Sequence, residues 1–325
     1  MKNVCIVGYG AIGPVHAKAL SEVDKATFYA VCDIDESRIK TCKEKYDVIS
    51  YVDYATMLED SNIDAVHICT PHYLHYEMVK QALEKGKGVI CEKPLAMKSD
   101  EFEAMLKLPN IDKVAVVFQN RLNACVEKIK SILADGTYGD IKGIRGLVTW
   151  CRSEEYYNSA DWRGKWATEG GGVLINQTIH TLDLMGYFAG GFKLLKANMT
   201  NFSLDDIIEV EDTFTACLRM QNDAKAIFFA TNAYSSNSFP DIEIVCEKGT
   251  LHYTDGKLLI GDEIVCKDTL ATGKKSYWGK GHARLFHNYY SENKYFNIYD
   301  AENTMKTVYA MYESAKNSGK EIYVK

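Results

Sequence analysis

Short apolar runs alternate with helix-period segments through the first 120 residues of this chain. Val4-Cys5-Ile6-Val7 reads as a strand and residues 13–22 as a helix; Thr27 to Cys32 reads as a second strand, with a charged helix over 36–45. A brief strand near Val48-Ile49, a helix over 54–60, the strand Ala65 to Cys69, a helix over 74–85 and the strand 88–91 continue the rhythm. A helix over 99–107 and the strand Val114 to Phe118 complete it. Strands this uniformly apolar are buried on both faces, and their alternation with helices predicts a parallel, doubly wound α/β sheet.

From about Arg121 the pattern changes. A helix over 124–134 leads through Asp135-Gly136 to a strand over 141–150, then a loop over 151–169 dense in aromatic and charged residues. A glycine triplet opens a helix over 173–188, and strand-like runs follow at 209–219, 224–232, 240–246 and 250–261. A helix over 299–318 and the strand Glu321 to Val324 close the chain. Runs joined by turns, with one helix packed on them, predict a mostly antiparallel α+β domain. The expected division is 1–120 and 121–325.

At 325 residues the chain is comfortable as two domains. A formal charge of -6 without a basic run argues against nucleic acid or an anionic membrane as partner. Of ten cysteines, Cys5, Cys32, Cys69 and Cys91 fall inside apolar strands, where Cys behaves as a small hydrophobe. No CxxC pair or zinc-type Cys/His spacing is present, so no metal is expected. The first strand starts almost at Met1 and no apolar run reaches 18 residues, which predicts a cytoplasmic, reduced protein.

Gly8-Tyr9-Gly10-Ala11-Ile12-Gly13 follows a strand and opens a helix. The first glycine permits a tight turn, the second lets the backbone approach a pyrophosphate, and the third lets helix and strand pack; the helix N-terminus supplies donors. Asp33 ends the second strand, where a carboxylate holds both ribose hydroxyls and repels a 2′-phosphate. NAD is therefore expected ahead of NADP, with Arg38 close enough to matter. Thr70-Pro71 and Glu92-Lys93-Pro94 cap two further strands on the edge where the nicotinamide end belongs. Pro94 stops its strand and holds Lys93 in a defined place. His75 is grouped with these cofactor-site residues, although both His72 and His75 also suit a helix start, and His67 reads as an interior histidine.

The second informative stretch is Gly170-Gly171-Gly172-Val173-Leu174-Ile175-Asn176-Gln177-Thr178-Ile179-His180-Thr181-Leu182-Asp183. On one continuous helix, Asn176, His180 and Asp183 share a face otherwise surrounded by apolar residues. Ahead of it, Tyr156, Tyr157, Trp162 and Trp166 offer aromatic faces, and Arg152, Arg163 and Asp161 offer directional hydrogen bonds, suited to a sugar ring or equally to a subunit interface. Arg121, Gln119 and Asn120 lie just past the last strand of the first domain and could reach a substrate or staple the domains.

Together, GYGAIG at the start, TPHYLH at 70–75, GKGVICEKPLA at 86–96 and GGGVLINQTIHTLD at 170–183 resemble the glucose–fructose oxidoreductase/inositol dehydrogenase (Gfo/Idh/MocA) family in order and spacing. The resemblance implies an N-terminal Rossmann domain, a C-terminal domain whose open sheet mediates homodimers or homotetramers, and oxidation of a secondary alcohol on a sugar, inositol or sugar derivative. It also implies that Lys93 and His180 flank the reacting carbinol and that the Lys93–Pro94 bond is cis. Many members carry Asp where this chain has Asn176, which puts a carboxylate's role there in doubt; an amide can still donate to and accept from a hydroxyl. Substrate contacts are accordingly expected from Asn176, Arg163, Trp162 and Tyr156, and cofactor contacts from Gly8, Gly10, Ala11, Ile12, Gly13, Asp33, Thr70, Pro71, His75, Glu92 and Lys93. Two rivals fit the same residues: a redox-neutral glycosidase or lyase that oxidises its sugar transiently, and a non-catalytic nucleotide sensor, against which the presence of both Lys93 and His180 counts.

Overall fold

A computed structural model of the chain describes residues 1–269 and 279–325. It divides into two units, Met1–Gln119 with Lys280–Ala301, and Asn120–Gly279 with Glu302–Lys325. The first contains β1 (Lys2–Val7), α1 (Gly13–Leu20), β2 (Ala26–Cys32), α2 (Glu36–Lys43), β3 (Ile49–Tyr51), α3 (Tyr54–Leu58), β4 (Ala65–Ile68), α4 (His75–Glu84), β5 (Gly88–Cys91), α5 (Ser99–Met105) and β6 (Val114–Val116). Its strands form one sheet in the order β3-β2-β1-β4-β5-β6, every pairing parallel. This is the doubly wound Rossmann sheet that the apolar runs predict. The order reverses between β1 and β4, so a crevice opens beyond their carboxyl ends. β4 is buried throughout, as is β5 beyond Gly88, which is why neither alternates with polar residues.

The second unit contains α6 (Ala124–Ala134), β7 (Ile141–Thr149), α7 (Glu154–Asn158), α8 (Ile179–Ala189), β8 (Phe192–Thr200), β9 (Thr213–Met220), β10 (Lys225–Thr231), β11 (Asp241–Cys246), β12 (Gly249–Thr254), β13 (Lys257–Ile260) and β14 (Glu263–Lys267). After α9 (Gly281–His287), which belongs to the first unit, come α10 (Ile298–Lys316) and β15 (Ile322–Tyr323). Nine strands pair in the order β14-β13-β12-β11-β7-β10-β9-β8-β15; only β7 and β10 run parallel. The expected mostly antiparallel sheet is therefore present; β8 and β14 add to the expected strands, and the run 250–261 is a hairpin of β12 and β13. α8 lies so close to β7 that a side chain at Gly146 would strike Met185. On the opposite face Arg145 stands beside Ile227, Val245 lies exposed nearby, and Arg145 pairs with Asp241 at 3.5 Å and Glu243 at 3.6 Å.

Two corrections concern helices. The segment expected as one helix over 173–188 is a π-helical turn, Val173–Gln177, and then α8, with Thr178 (φ -111°, ψ 4°) between them. Residues 280–301, which the expected division puts in the second domain and which carry no expected element before 299, supply α9 and a second π-helical turn, Asn288–Glu292, to the first unit. Among the described residues no helix is long and apolar enough to cross a membrane.

Candidate active site

In the first unit the glycine loop has the shape a dinucleotide needs. Gly8 sits at φ +90°, and a Cβ there would come within 2.7 Å of the Cys69 carbonyl oxygen. A side chain at Gly13 would strike the Gly8 carbonyl, so helix and strand meet as closely as a backbone allows. Pro14 occupies the first turn of α1, where a missing N–H is harmless. Asp33, 6% exposed, accepts from the Tyr9 amide at 2.6 Å and the Asp35 amide at 2.9 Å. Arg38 lies 3.3 Å from Asp35 and 3.8 Å from Asp33, and its Nη1 is 3.7 Å from where a Cβ of Gly10 would stand. Loop, carboxylate and open helix end fit a bound dinucleotide.

β5 is followed by Glu92, Lys93 and Pro94, and the Lys93–Pro94 peptide is cis. Lys93 is half-buried and its amide donates to Glu92 Oε2 at 3.3 Å. Glu92 itself points inward: Oε1 lies 3.0 Å from His16 Nε2 and 3.7 Å from His282 Nε2. Burial alone would raise its pKa, but the hydrogen bonds and charge interactions with His16 and His282 hold the carboxyl well below the usual range. Burial lowers the His16 pKa and pushes that of His67 far down. With Glu92 ionised and both rings neutral, one order of protons satisfies the chain from Glu92 to Tyr290. His16 donates from Nε2 to Glu92, His67 donates from Nδ1 to His16 Nδ1 across 3.1 Å, and Tyr290 donates to His67 Nε2 across 2.8 Å. Phe286 packs on both histidine rings, at 4.9 and 4.5 Å. His16, Glu92 and His282 are also the one group of the described residues whose ligand atoms converge, within 4.8 Å, closely enough to hold a metal.

His75 is fully buried, with Nδ1 2.7 Å from the Pro94 carbonyl oxygen and Nε2 2.9 Å from that of Thr70. It therefore ties together two of the expected cofactor-facing strand tips; Glu92 likewise spends its oxygens on histidines and the Lys93 amide. His72 and His67 are buried as well.

In the second unit the glycine triplet is held from below by Glu211. Its carboxyl accepts from the amides of Gly172 at 2.9 Å and Leu174 at 3.1 Å and from the Tyr312 hydroxyl at 2.8 Å. Burial pushes its pKa up to about 7 against these hydrogen bonds. Because the folded value lies above the ordinary one near 4.5, the stabilising effect is full below that pH and is lost as pH rises through 7. The unfolding free energy of the native protein should fall, relative to Glu211→Gln, by about 3 kcal/mol between pH 4 and pH 8 in denaturant titrations. A pH-independent difference would show that Glu211 titrates normally.

His180 opens α8 and is 7% exposed. Asn176 does not continue its face: it lies in the π-helical turn, and its amide donates to Glu169 Oε1. Glu169 also accepts from the Gly164 amide. Asp183 is taken by Arg121, whose Nη2 and Nε reach it at 2.6 and 2.8 Å, and by the Thr304 hydroxyl at 2.8 Å. Arg121 is thus paired with Asp183 inside this unit. Tyr156 receives bonds from Arg163 and, at 3.1 Å, from Gln177; Arg163 lies over the Tyr156 and Trp162 rings at 4.3 and 4.8 Å. The expected residues Tyr156, Trp162 and Arg163 thus form one cluster, whereas Trp166 bonds Glu209 and packs on Tyr312. His16, His282, Gln177 and Glu211 were not anticipated. The available signals were a histidine three residues after Gly13, an amide beside Asn176, and two acids, Glu211-Asp212, inside an apolar run.

Residues 2–124 match the sequence family described as oxidoreductase family, NAD-binding Rossmann fold, and residues 126–252 match the GFO/IDH/MocA C-terminal domain. The chain is 30% identical to the uncharacterized oxidoreductase YrbE of Bacillus subtilis over 68% of its own length and 64% of that protein. It is 30% identical to the myo-inositol 2-dehydrogenase of Thermotoga maritima over 58% of its own length and 55% of the relative. The alignments thus span less than two thirds of these relatives. The WlbA dehydrogenase from Bordetella pertussis, solved with NADH and UDP-GlcNAcA, superposes with a TM-score of 0.89 at 26% identity, covering 100% of this chain and 98% of that one.

Proposed function

The chain belongs to the Gfo/Idh/MocA oxidoreductase family, and on that footing we propose that it is an NAD-dependent dehydrogenase of a secondary alcohol on a sugar, inositol or sugar derivative. The observation that carries the reading is the carboxyl edge of the six-stranded sheet, where the glycine loop, Asp33, Thr70-Pro71 and Lys93 all lie. When bound, the nicotinamide accepts the hydride. Lys93, as an ammonium, holds the hydroxyl oxygen and stabilises the charge that develops on it; His180 takes the hydroxyl proton. Asn176 and the cluster of Tyr156, Trp162 and Arg163 hold the substrate. NAD is preferred to NADP because Asp33 is an anion at the ribose position and Arg38 is already shared between Asp33 and Asp35. The relatives are a myo-inositol dehydrogenase and a dehydrogenase solved with UDP-GlcNAcA, which supports this substrate range. A cytoplasmic setting and self-association through the exposed face of the nine-stranded sheet complete the reading.

The test is rapid mixing of the NAD-loaded or NADP-loaded protein with inositols, free sugars, glycosides and sugar nucleotides while nicotinamide absorbance is followed. A lasting rise with NAD and one ligand class is expected. A rise that decays as the ligand is cleaved means the redox-neutral enzyme instead, and faster turnover with NADP would show that Asp33 does not discriminate. Light scattering in solution tests the self-association; a monomer excludes it.

A further inference from the structure

We propose that the aromatic–arginine cluster of the second unit is an oxyanion site, so that the substrate is an acidic sugar: a uronate, a sugar phosphate or a nucleotide sugar. This deepens the dehydrogenase reading and rests on it. Two guanidiniums stand against one ring, Arg163 at 4.3 Å and Arg152 at 5.3 Å from the centroid of Tyr156. Each is also backed by a tryptophan, Arg163 by Trp162 and Arg152 by Trp150, both at 4.8 Å. Aromatic faces orient a guanidinium without neutralising it.

Among the described residues no carboxylate lies within ion-pair distance of either arginine, although four acids share the stretch. Glu169 is committed to the Gly164 amide and Asn176, Glu154 accepts from Asn158 at 3.3 Å, and Glu155 and Asp161 are exposed. The arginines bond only neutral groups: Arg163 the Tyr156 hydroxyl, and Arg152 the Cys151 carbonyl at 2.8 Å and the Asn237 amide oxygen at 2.7 Å. Two cations beside one ring repel, and an anion between them relieves that repulsion. The planar guanidinium fork matches a carboxylate or phosphate.

Two atoms of the cluster are shielded from solvent with no partner, Arg163 Nε and Gln177 Oε1. The first is a donor and suits the anion. The second is an acceptor, which an anion cannot satisfy but a hydroxyl can. A ligand that answers both carries an anionic group close to a hydroxyl, as acidic sugars do. Gln177 stands three residues ahead of His180, on the segment that leads into α8.

Calorimetric titration of the NADH-saturated protein tests this with matched ligands, glucose against each of glucuronate, glucose 6-phosphate, UDP-glucose and UDP-glucuronate. At least one acidic member should bind about tenfold or more tighter than its partner. Arg163→Gln or Arg152→Gln should remove that preference while leaving NADH affinity unchanged, Arg152→Gln should also leave glucose binding unchanged, and added salt should weaken only the acidic ligands. The carboxylate and phosphate arms distinguish the two sources of the anion. Equal binding within every pair, a preference that survives both substitutions, or no binding of any acidic member at millimolar concentration would overturn the inference. An arginine-dependent ligand that never reduces NAD would leave this site standing and defeat the dehydrogenase reading; a neutral ligand that binds best and reduces NAD would do the reverse.

Discussion

Lys93→Met should lower turnover by about 10³-fold, the scale of losing a preorganised cation at a developing oxyanion, while NAD affinity moves by no more than about threefold. The two effects separate because the backbone around Lys93 is held by groups the substitution leaves intact. Its amide rests on Glu92, the Pro94 carbonyl rests on His75, and Glu92 is fixed by His16. The half-buried side chain is therefore an addition to a rigid strand tip, and methionine matches its length. Turnover with the best substrate and NAD binding by fluorescence should be measured on one preparation. Near-normal turnover would remove Lys93 from the chemistry. Parallel loss of turnover and NAD affinity would make it a cofactor residue.

The second large effect is on stability. Arg121→Met should destabilise the second unit by roughly 3–5 kcal/mol, because it strands Asp183 as a buried carboxylate whose remaining partner is a hydroxyl. The native pair is bidentate and both side chains are 5% exposed or less. Trp150, Trp162 and Trp166 lie in the second unit and the first unit has no tryptophan, so tryptophan fluorescence does not report the first unit. Replacing both partners, Arg121→Met with Asp183→Leu, should recover most of the loss, since two apolar side chains need no counter-charge. If the double variant is no better than the single, the pair is valued for its geometry and not for its mutual neutralisation.

The legible and illegible parts of this chain divide by range. The parallel sheet could be read because Val4 to Val7, Ala65 to Cys69 and Val89 to Cys91 are apolar for local reasons, each flanked by its own turn and helix. The glycine loop, Asp33 and Lys93 could be read because each terminates such a strand. Glu92 and His75, which were placed at the cofactor, turn inward in the fold, since their partners come from elements no local pattern connects: His16, His282 and the carbonyls of Thr70 and Pro94. Asn176 and His180 were read onto one helix face by counting four residues. The count fails because the π-helical turn and Thr178 interrupt the register, and the glycines before it, Gly170 at φ +83° and Gly171 at φ +154°, were the warning. Tyr156, Trp162 and Arg163 could be grouped from the sequence because aromatic and cationic residues crowd one loop, and a density of that kind survives errors of register, even though Tyr156 also packs on a small core of Tyr157, Leu204, Ile208 and Val210.

The return of residues 280–301 to the first unit has a consequence for how the molecule is made. His16 and Glu92 are synthesised early, yet His282, Phe286 and Tyr290, which enclose the histidine chain, leave the ribosome only after the whole nine-stranded sheet except β15. Until then the nascent nucleotide-binding half carries buried-type polar groups without their cover, and a fragment cut after residue 120 would carry them permanently. Domains usually mature in the order they are translated. Here the first to begin is obliged to wait, and cofactor binding becomes a late checkpoint on the integrity of nearly the entire polypeptide.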